Sequence, residues 1–188
     1  MANPNDIRTY YGIYMDPFSA KENEIDIKDI AHALSLLCRA NGHIKHFYSV
    51  AQHCINCEKE AAARGFGDGI RLFCLLHDAT ECYISDITRP VKRRLPEYCA
   101  AEEKLAEVIY RKLAGKLPDE KQQKAIGDID DTLLHHEFFN LCGAKIFEVE
   151  PKLYAKISFE EHNAKEVEQS FLSLYNELIS RLEAKSDG

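Results

Sequence analysis

The chain has 188 residues, 45% of them hydrophobic and 29% charged, with a formal net charge of -7. That length suits one well-filled core, and the composition excludes a largely disordered chain. The acidic balance argues against a general binder of long nucleic acid, whose phosphates need a basic surface, while leaving room for a small phosphorylated ligand held by a few local cations. No apolar run approaches the roughly 20 residues of a membrane span, and the start Met1 to Asp6 lacks the apolar stretch of a signal peptide, so a cytoplasmic protein with no membrane partner is expected. The seven cysteines, Cys38, Cys54, Cys57, Cys74, Cys82, Cys99 and Cys142, are odd in number and sit mostly in apolar helical patterns, which fits a reducing compartment.

Residues 1–26 mix Tyr10, Tyr11, Tyr14 and Phe18 with Pro4, Gly12, Asp16 and Pro17, and predict an irregular arm lying on the domain. From Ile27 the apolar positions Ile30, Ala31, Leu34, Leu37 and Cys38 recur at helical steps, with a stop at Asn41-Gly42. A second helix is expected over about His46 to Arg64, closed by Gly65, and a third over about Asp68 to Ile84. Ser85 to Pro96 holds two prolines and Arg89, Lys92, Arg93 and Arg94, and reads as a cationic loop with at most one short helical turn. Later helices are expected over about Glu97 to Ala114, Asp119 to Cys142 and His162 to Ala184. No useful strand alternation or repeat appears, so the fold class is all-α: one helical bundle spanning 27–184 behind the arm.

Chemistry concentrates at His77-Asp78, inside the run Leu72-Phe73-Cys74-Leu75-Leu76. An imidazole and a carboxylate entering a core together must be satisfied, either by a plain His-Asp hydrogen bond or by a metal ion. Imidazole with carboxylate suits zinc, manganese, iron, cobalt or nickel. His53, on the preceding helix, is a second candidate ligand, since a helical hairpin lets both arms face one ion. A third comes from Ile126 to Leu134, where three aspartates crowd an apolar helix. At about 100° per residue, the face of Ile126, Ile129, Leu133, Leu134, Phe138 and Leu141 centres on Asp130, while Asp131 falls to the side. Asp130 is therefore the expected buried carboxylate, with Glu137 near the same line.

A lone His, then His-Asp, then a distant Asp resembles the HD-domain phosphohydrolases, and within them the small bacterial and phage proteins related to 5'-deoxynucleotidases. The likeness runs from Asp29-Ile30-Ala31-His32-Ala33-Leu34-Ser35 through Tyr48-Ser49-Val50-Ala51-Gln52-His53 and His77-Asp78-Ala79-Thr80-Glu81 to the Asp130 helix. It implies one divalent ion, such as manganese or cobalt, held by His53, His77, Asp78 and Asp130 in a helical bundle. It further implies that Glu81, three residues past Asp78, orients or deprotonates the attacking water, whereas on position alone Glu81 could be a surface or capping residue. It gives Asp86 a part in recognising the sugar, although the bare residue could equally end a helix. Thr80 and Cys82 beside Glu81, and the doubled Asp130-Asp131, depart from the familiar pattern and leave the sugar and base preference open.

Arg39 and His43 flank the Asn41-Gly42 turn and, with Lys92, are the expected phosphate-binding cations; Arg89, Arg93 and Arg94 can equally be solvated charge. Cys54-x-x-Cys57 has no second pair and reads as buried helical thiols. His135 and His136 point about 100° apart and cannot share the Asp130 face. The expected activity is hydrolysis of a nucleoside 5'-monophosphate. A nucleotide phosphodiesterase or triphosphohydrolase, or a non-catalytic metal-stabilised nucleotide binder, is the alternative. Relatives in the resembled group are often dimers, which makes a homodimer an expectation too.

Overall fold

The computed structural model describes residues 3–186, so the first two residues of the expected arm lie outside it. The described residues form an all-helical single domain. The helices are α1 (Ile27–Leu36), α2 (Val50–Ala63), α3 (Asp68–Leu76), α4 (Glu81–Ile84), α5 (Arg89–Lys92), α6 (Pro96–Ala114), α7 (Glu120–Cys142) and α8 (Ala164–Ser186). The arm is more ordered than its composition suggests. Ile7–Arg8 (β1) and Tyr14–Met15 (β2) pair antiparallel, with Ile7 opposite Met15, and Met15 is buried in the main core. Two residues per strand are too few for alternation to show in the sequence.

Helix α2 is the axis of the fold, packed against α1, α3, α7 and α8. It starts later than expected, at Val50 rather than His46. The preceding segment is extended: Arg39 N–H donates to the Tyr48 carbonyl and Val50 N–H to that of Leu37, so Ser49 is the first residue free to cap. Its hydroxyl accepts from Gln52 N–H while the Gln52 side chain accepts from Ser49 N–H, a reciprocal capping box. On α3, Leu72, Phe73, Cys74, Leu75 and Leu76 are all buried. Burying each large apolar side chain contributes roughly 1.5–3 kcal/mol. One core unites α1, α2, α3, α6 and α8, and a second joins Cys57, Ala61, Phe73 and Cys74 to Ile126, Ile129 and Leu133 of α7.

The expected third helix is broken in two. His77 Nδ1 donates to the Cys74 carbonyl at 2.8 Å, taking the acceptor that the next backbone N–H would use. The chain then tightens through Ala79 N–H to Leu76 and Glu81 N–H to Asp78 before α4 begins. The turn between α3 and α4 thus carries His77 and Asp78, and α4 opens with Glu81.

The long connection over 143–163 is pinned to α2. Buried Glu60 accepts from the N–H groups of Tyr154 and Ala155 and from Arg64, while Gln52 and Asn56 donate to the carbonyls of Glu160 and Ser158. No described helix is long and apolar enough to cross a membrane.

Candidate metal centre

His53 from α2, His77 and Asp78 from the α3–α4 turn, and Asp130 from α7 converge. His53 Nε2 lies 3.1 Å from His77 Nε2, 3.6 Å from Asp78 Oδ2 and 3.1 Å from Asp130 Oδ1. His77 Nε2 lies 3.3 Å from Asp78 Oδ2 and 3.8 Å from Asp130 Oδ1. Donors held about 2.0–2.2 Å from one ion stand roughly 3–4 Å apart at ordinary coordination angles. These five separations all fall in that range.

The far nitrogens decide what the near ones offer. His53 Nδ1 faces Glu137 Oε1 at 2.8 Å, and His77 Nδ1 faces the Cys74 carbonyl; both partners are acceptors, so each Nδ1 carries the hydrogen. Neutral imidazoles then present bare Nε2 lone pairs to each other and to two carboxylate oxygens. Four lone pairs pointing at one spot repel unless a cation stands between them.

Protons are the other source of positive charge. Burial disfavours charged imidazoles, and Arg39 opposes charge on His53, but Glu137 and Asp130 beside His53, and Asp78 and Asp130 beside His77, hold the pKa well above the ordinary value. Burial also opposes ionised carboxylates, yet His53 and His77 hold Asp130 well below the usual range and, with Arg39, lower Asp78. Protonating both Nε2 atoms, however, sets two N–H groups against each other across 3.1 Å. A single ion satisfies all four donors without that clash, so this buried His/Asp cluster, with cysteines beside it, could hold a metal ion.

Two cysteines also come within reach: Cys57 with His53 and His77, and Cys54 with His77 and Asp78, each set within 4.8 Å. Cys57 Sγ lies 3.5 Å from His53 Nε2 and 4.0 Å from Nδ1. An atom on the lone-pair axis would be much farther from Nδ1 than from Nε2. The sulfur therefore sits over the ring face, one helical turn on, and packs on the imidazole rather than sharing its donor direction.

Glu81 is buried, and its Oε2 has no hydrogen-bond partner among the described residues. Burial, then repulsion from Asp78 and Asp86, pushes its pKa well above the usual carboxylate value, against the pull of Arg39 and Lys92. Arg39 is the enclosed cation. It donates to Asp78 Oδ2 at 3.1 Å and pairs with Glu137 Oε2 at 3.4 Å. Burial lowers its pKa, but Glu137, Asp78, Asp130 and Glu81 raise it further, so it stays charged.

Four of the expected residues stand at the edge of this cluster or outside it. Asp130 faces inward as its phase requires, but its side chain is 22% exposed because it stands at the rim, where Arg89 covers it. Arg89, read as possible solvated charge, forks to Asp130 Oδ2 at 2.6 Å and Asp131 Oδ1 at 2.5 Å. Lys92 faces the charges of Glu81 and Asp78 but spends its ammonium on Glu102 at 2.6 Å. His43 is exposed, and its side chain makes no hydrogen bond or ion pair with the site residues.

Asp86 Oδ2 accepts from Ala40 N–H at 3.1 Å. Ala40 and Asn41 both have left-handed backbone, with φ of 52° and 51°, a conformation costly for a residue with a Cβ. Asp86 thereby fixes the turn that presents Arg39.

No family model matches the chain. It is 42% identical over 106 residues to the uncharacterized protein YfdR of Escherichia coli, covering 56% of this chain and 57% of the relative. It is 33% identical over 108 residues to an uncharacterized protein of Rhodobacter capsulatus, covering 55% of each. The chain thus spans about half the length of the curated relatives it matches.

Proposed function

We propose that the protein is a divalent-metal-dependent phosphohydrolase, in the manner of the HD-domain enzymes its motifs resemble, acting on nucleoside 5'-monophosphates. The observation that carries the reading is the convergence of four donor atoms whose two imidazoles have their other nitrogens tied to acceptors. His53, His77, Asp78 and Asp130 would hold the ion, and an oxygen-and-imidazole set suits manganese or cobalt. When bound, that ion supplies Lewis-acid polarisation of phosphoryl oxygens and lowers the pKa of nearby acids.

Glu81 Oε2 is the atom that holds or moves a proton: it is buried, has no hydrogen-bond partner among the described residues, and burial with repulsion from Asp78 and Asp86 raises its pKa well above the ordinary carboxylate value. Arg39 supplies fixed positive charge beside Asp78, offsetting phosphate charge without a lone surface cation. Arg89 keeps Asp130 from swinging out to solvent. The substrate class rests on the motif resemblance, and the metal on the donor geometry.

The test is a nucleotide panel assayed for phosphate release with manganese, cobalt, magnesium or chelator, using wild type, Asp78→Ala and Glu81→Ala. Release from 5'-monophosphates that needs the ion and drops at least about 100-fold in both variants supports the reading. Ion binding with no turnover of any nucleotide would favour a non-catalytic binder. Turnover of triphosphates or diesters alone would reassign the substrate.

A further inference from the structure

Glu137 stands two helical turns after Asp130 on α7, so ligand and carboxylate share one inward stripe. It is 2% exposed, and a carboxylate so enclosed needs acceptor-matched partners at both oxygens. Oε1 takes the His53 Nδ1 hydrogen at 2.8 Å and the Tyr48 hydroxyl at 3.2 Å. Tyr48 is itself oriented by Asn56 Nδ2, which donates to its oxygen at 2.6 Å. Oε2 faces Arg39 Nε at 3.4 Å, and the same guanidinium donates through NH1 to Asp78 Oδ2.

One carboxylate therefore reaches two of the four metal donors by separate arms. Through Oε1 it fixes the tautomer and ring angle of His53, leaving Nε2 as the bare donor. Through Oε2 and Arg39 it fixes Asp78. His77 is independent of it, because its Nδ1 is anchored to a backbone carbonyl.

We infer that Glu137 is a positioning residue that braces His53 directly and Asp78 through Arg39, setting the geometry of the metal centre from outside the ligand set. The inference rests on reading His53 and Asp78 as metal ligands, but not on the identity of the substrate. An amide cannot replace this carboxylate: it has one acceptor oxygen, so either His53 or Arg39 is left facing an NH2 group.

The test titrates the metal-free full chain with Mn2+ and with Co2+, following the visible Co2+ bands. Glu137→Gln is expected to weaken both ions about 10–100-fold and to shift the Co2+ bands. The same substitution in an Arg39→Met background should weaken binding by less, since the arm to Asp78 is already gone. Tyr48→Phe removes only the hydroxyl sharing Oε1 and is expected to weaken the ion severalfold, which answers the question should Glu137→Gln fail to fold. A purely structural role would lower the melting temperature of the metal-free variants while the folded protein kept wild-type affinity and spectrum, and that result overturns the inference. Wild type that binds neither ion overturns it together with the metal assignment, whereas wild type that binds while the variants bind equally well overturns it alone.

Discussion

Two buried polar clusters lie at different places along α2, and they are built on opposite terms. At one, Glu58 and Asp68 meet Arg71, with Lys185 and Arg181 of α8 closing on Asp68. Every carboxylate there has a cation, and the cluster ties α2, α3 and α8 together. At the other, Asp78, Asp130, Glu137 and Glu81 surround two imidazoles, with Arg39 inside and Arg89 at the rim. The first cluster is complete as it stands. The second has an excess of acceptors, which in a buried setting calls for added positive charge. The difference separates a polar core that is satisfied within the fold from one that could hold a metal ion.

The largest effect should come from the acceptor-rich cluster. Asp78→Ala removes a donor and the Arg39 partner together, and divalent-ion binding measured by calorimetry should fall at least about 100-fold. The balanced cluster should respond in stability alone. Glu58→Ala removes one of the two carboxylates that Arg71 meets, leaving it Asp68, and should cost roughly 1–3 kcal/mol in a denaturant melt while leaving ion affinity within about twofold. Manganese at about a hundredfold excess over the wild-type Kd should raise the stability of wild type by about 2.7 kcal/mol and that of Asp78→Ala by no more than about 0.4 kcal/mol.

Acid should weaken both clusters, the second through the lowered pKa values of Asp78 and Asp130, and only the second should also lose stability as pH rises. The Asp68 pKa is lowered, first by Lys185, so its contribution is present above the unfolded value of 3.8 and is lost as pH falls through the folded value. The imidazoles of His53 and His77 have raised pKa values, so in metal-free protein their contribution is complete below 6.5 and is lost as pH rises through the folded values. Because an ion must displace those protons, its apparent affinity should rise with pH across the same range, as a titration at several pH values would show. The smallest effect is expected at Cys57, whose sulfur packs on the His53 ring face: Cys57→Ala should cost about 1 kcal/mol of stability and leave ion affinity within about twofold.

Periodicity made most of the bundle legible, since α1, α6, α7 and α8 carry plain apolar stripes and α7 begins on an Asp119 capping box. Phase also singled out Asp130 over Asp131, because inward direction is a property of spacing. What spacing does not carry is competition for backbone acceptors. The break after Leu76 arises from the His77 ring taking the Cys74 carbonyl, and the late start of α2 from long-range pairing of Leu37 and Arg39 with Tyr48 and Val50. The start still had a signal in Ser49-x-x-Gln52. Partners of long side chains were equally hidden: Lys92 turns to Glu102 and Arg89 to Asp130, although both lie in one cationic segment. Glu137 was visible as a position two turns past Asp130, but its two-sided role needed His53, Tyr48 and Arg39 brought together from other elements.

Whether His53, His77, Asp78 and Asp130 hold one divalent ion is read by equilibrium dialysis of the full chain against manganese or cobalt, with metal analysis of the retained protein. One ion per wild-type chain is expected, and none above background in His77→Ala or Asp130→Ala protein that remains folded. Wild type that retains no ion, or variants that retain it as fully as wild type, would contradict that expectation.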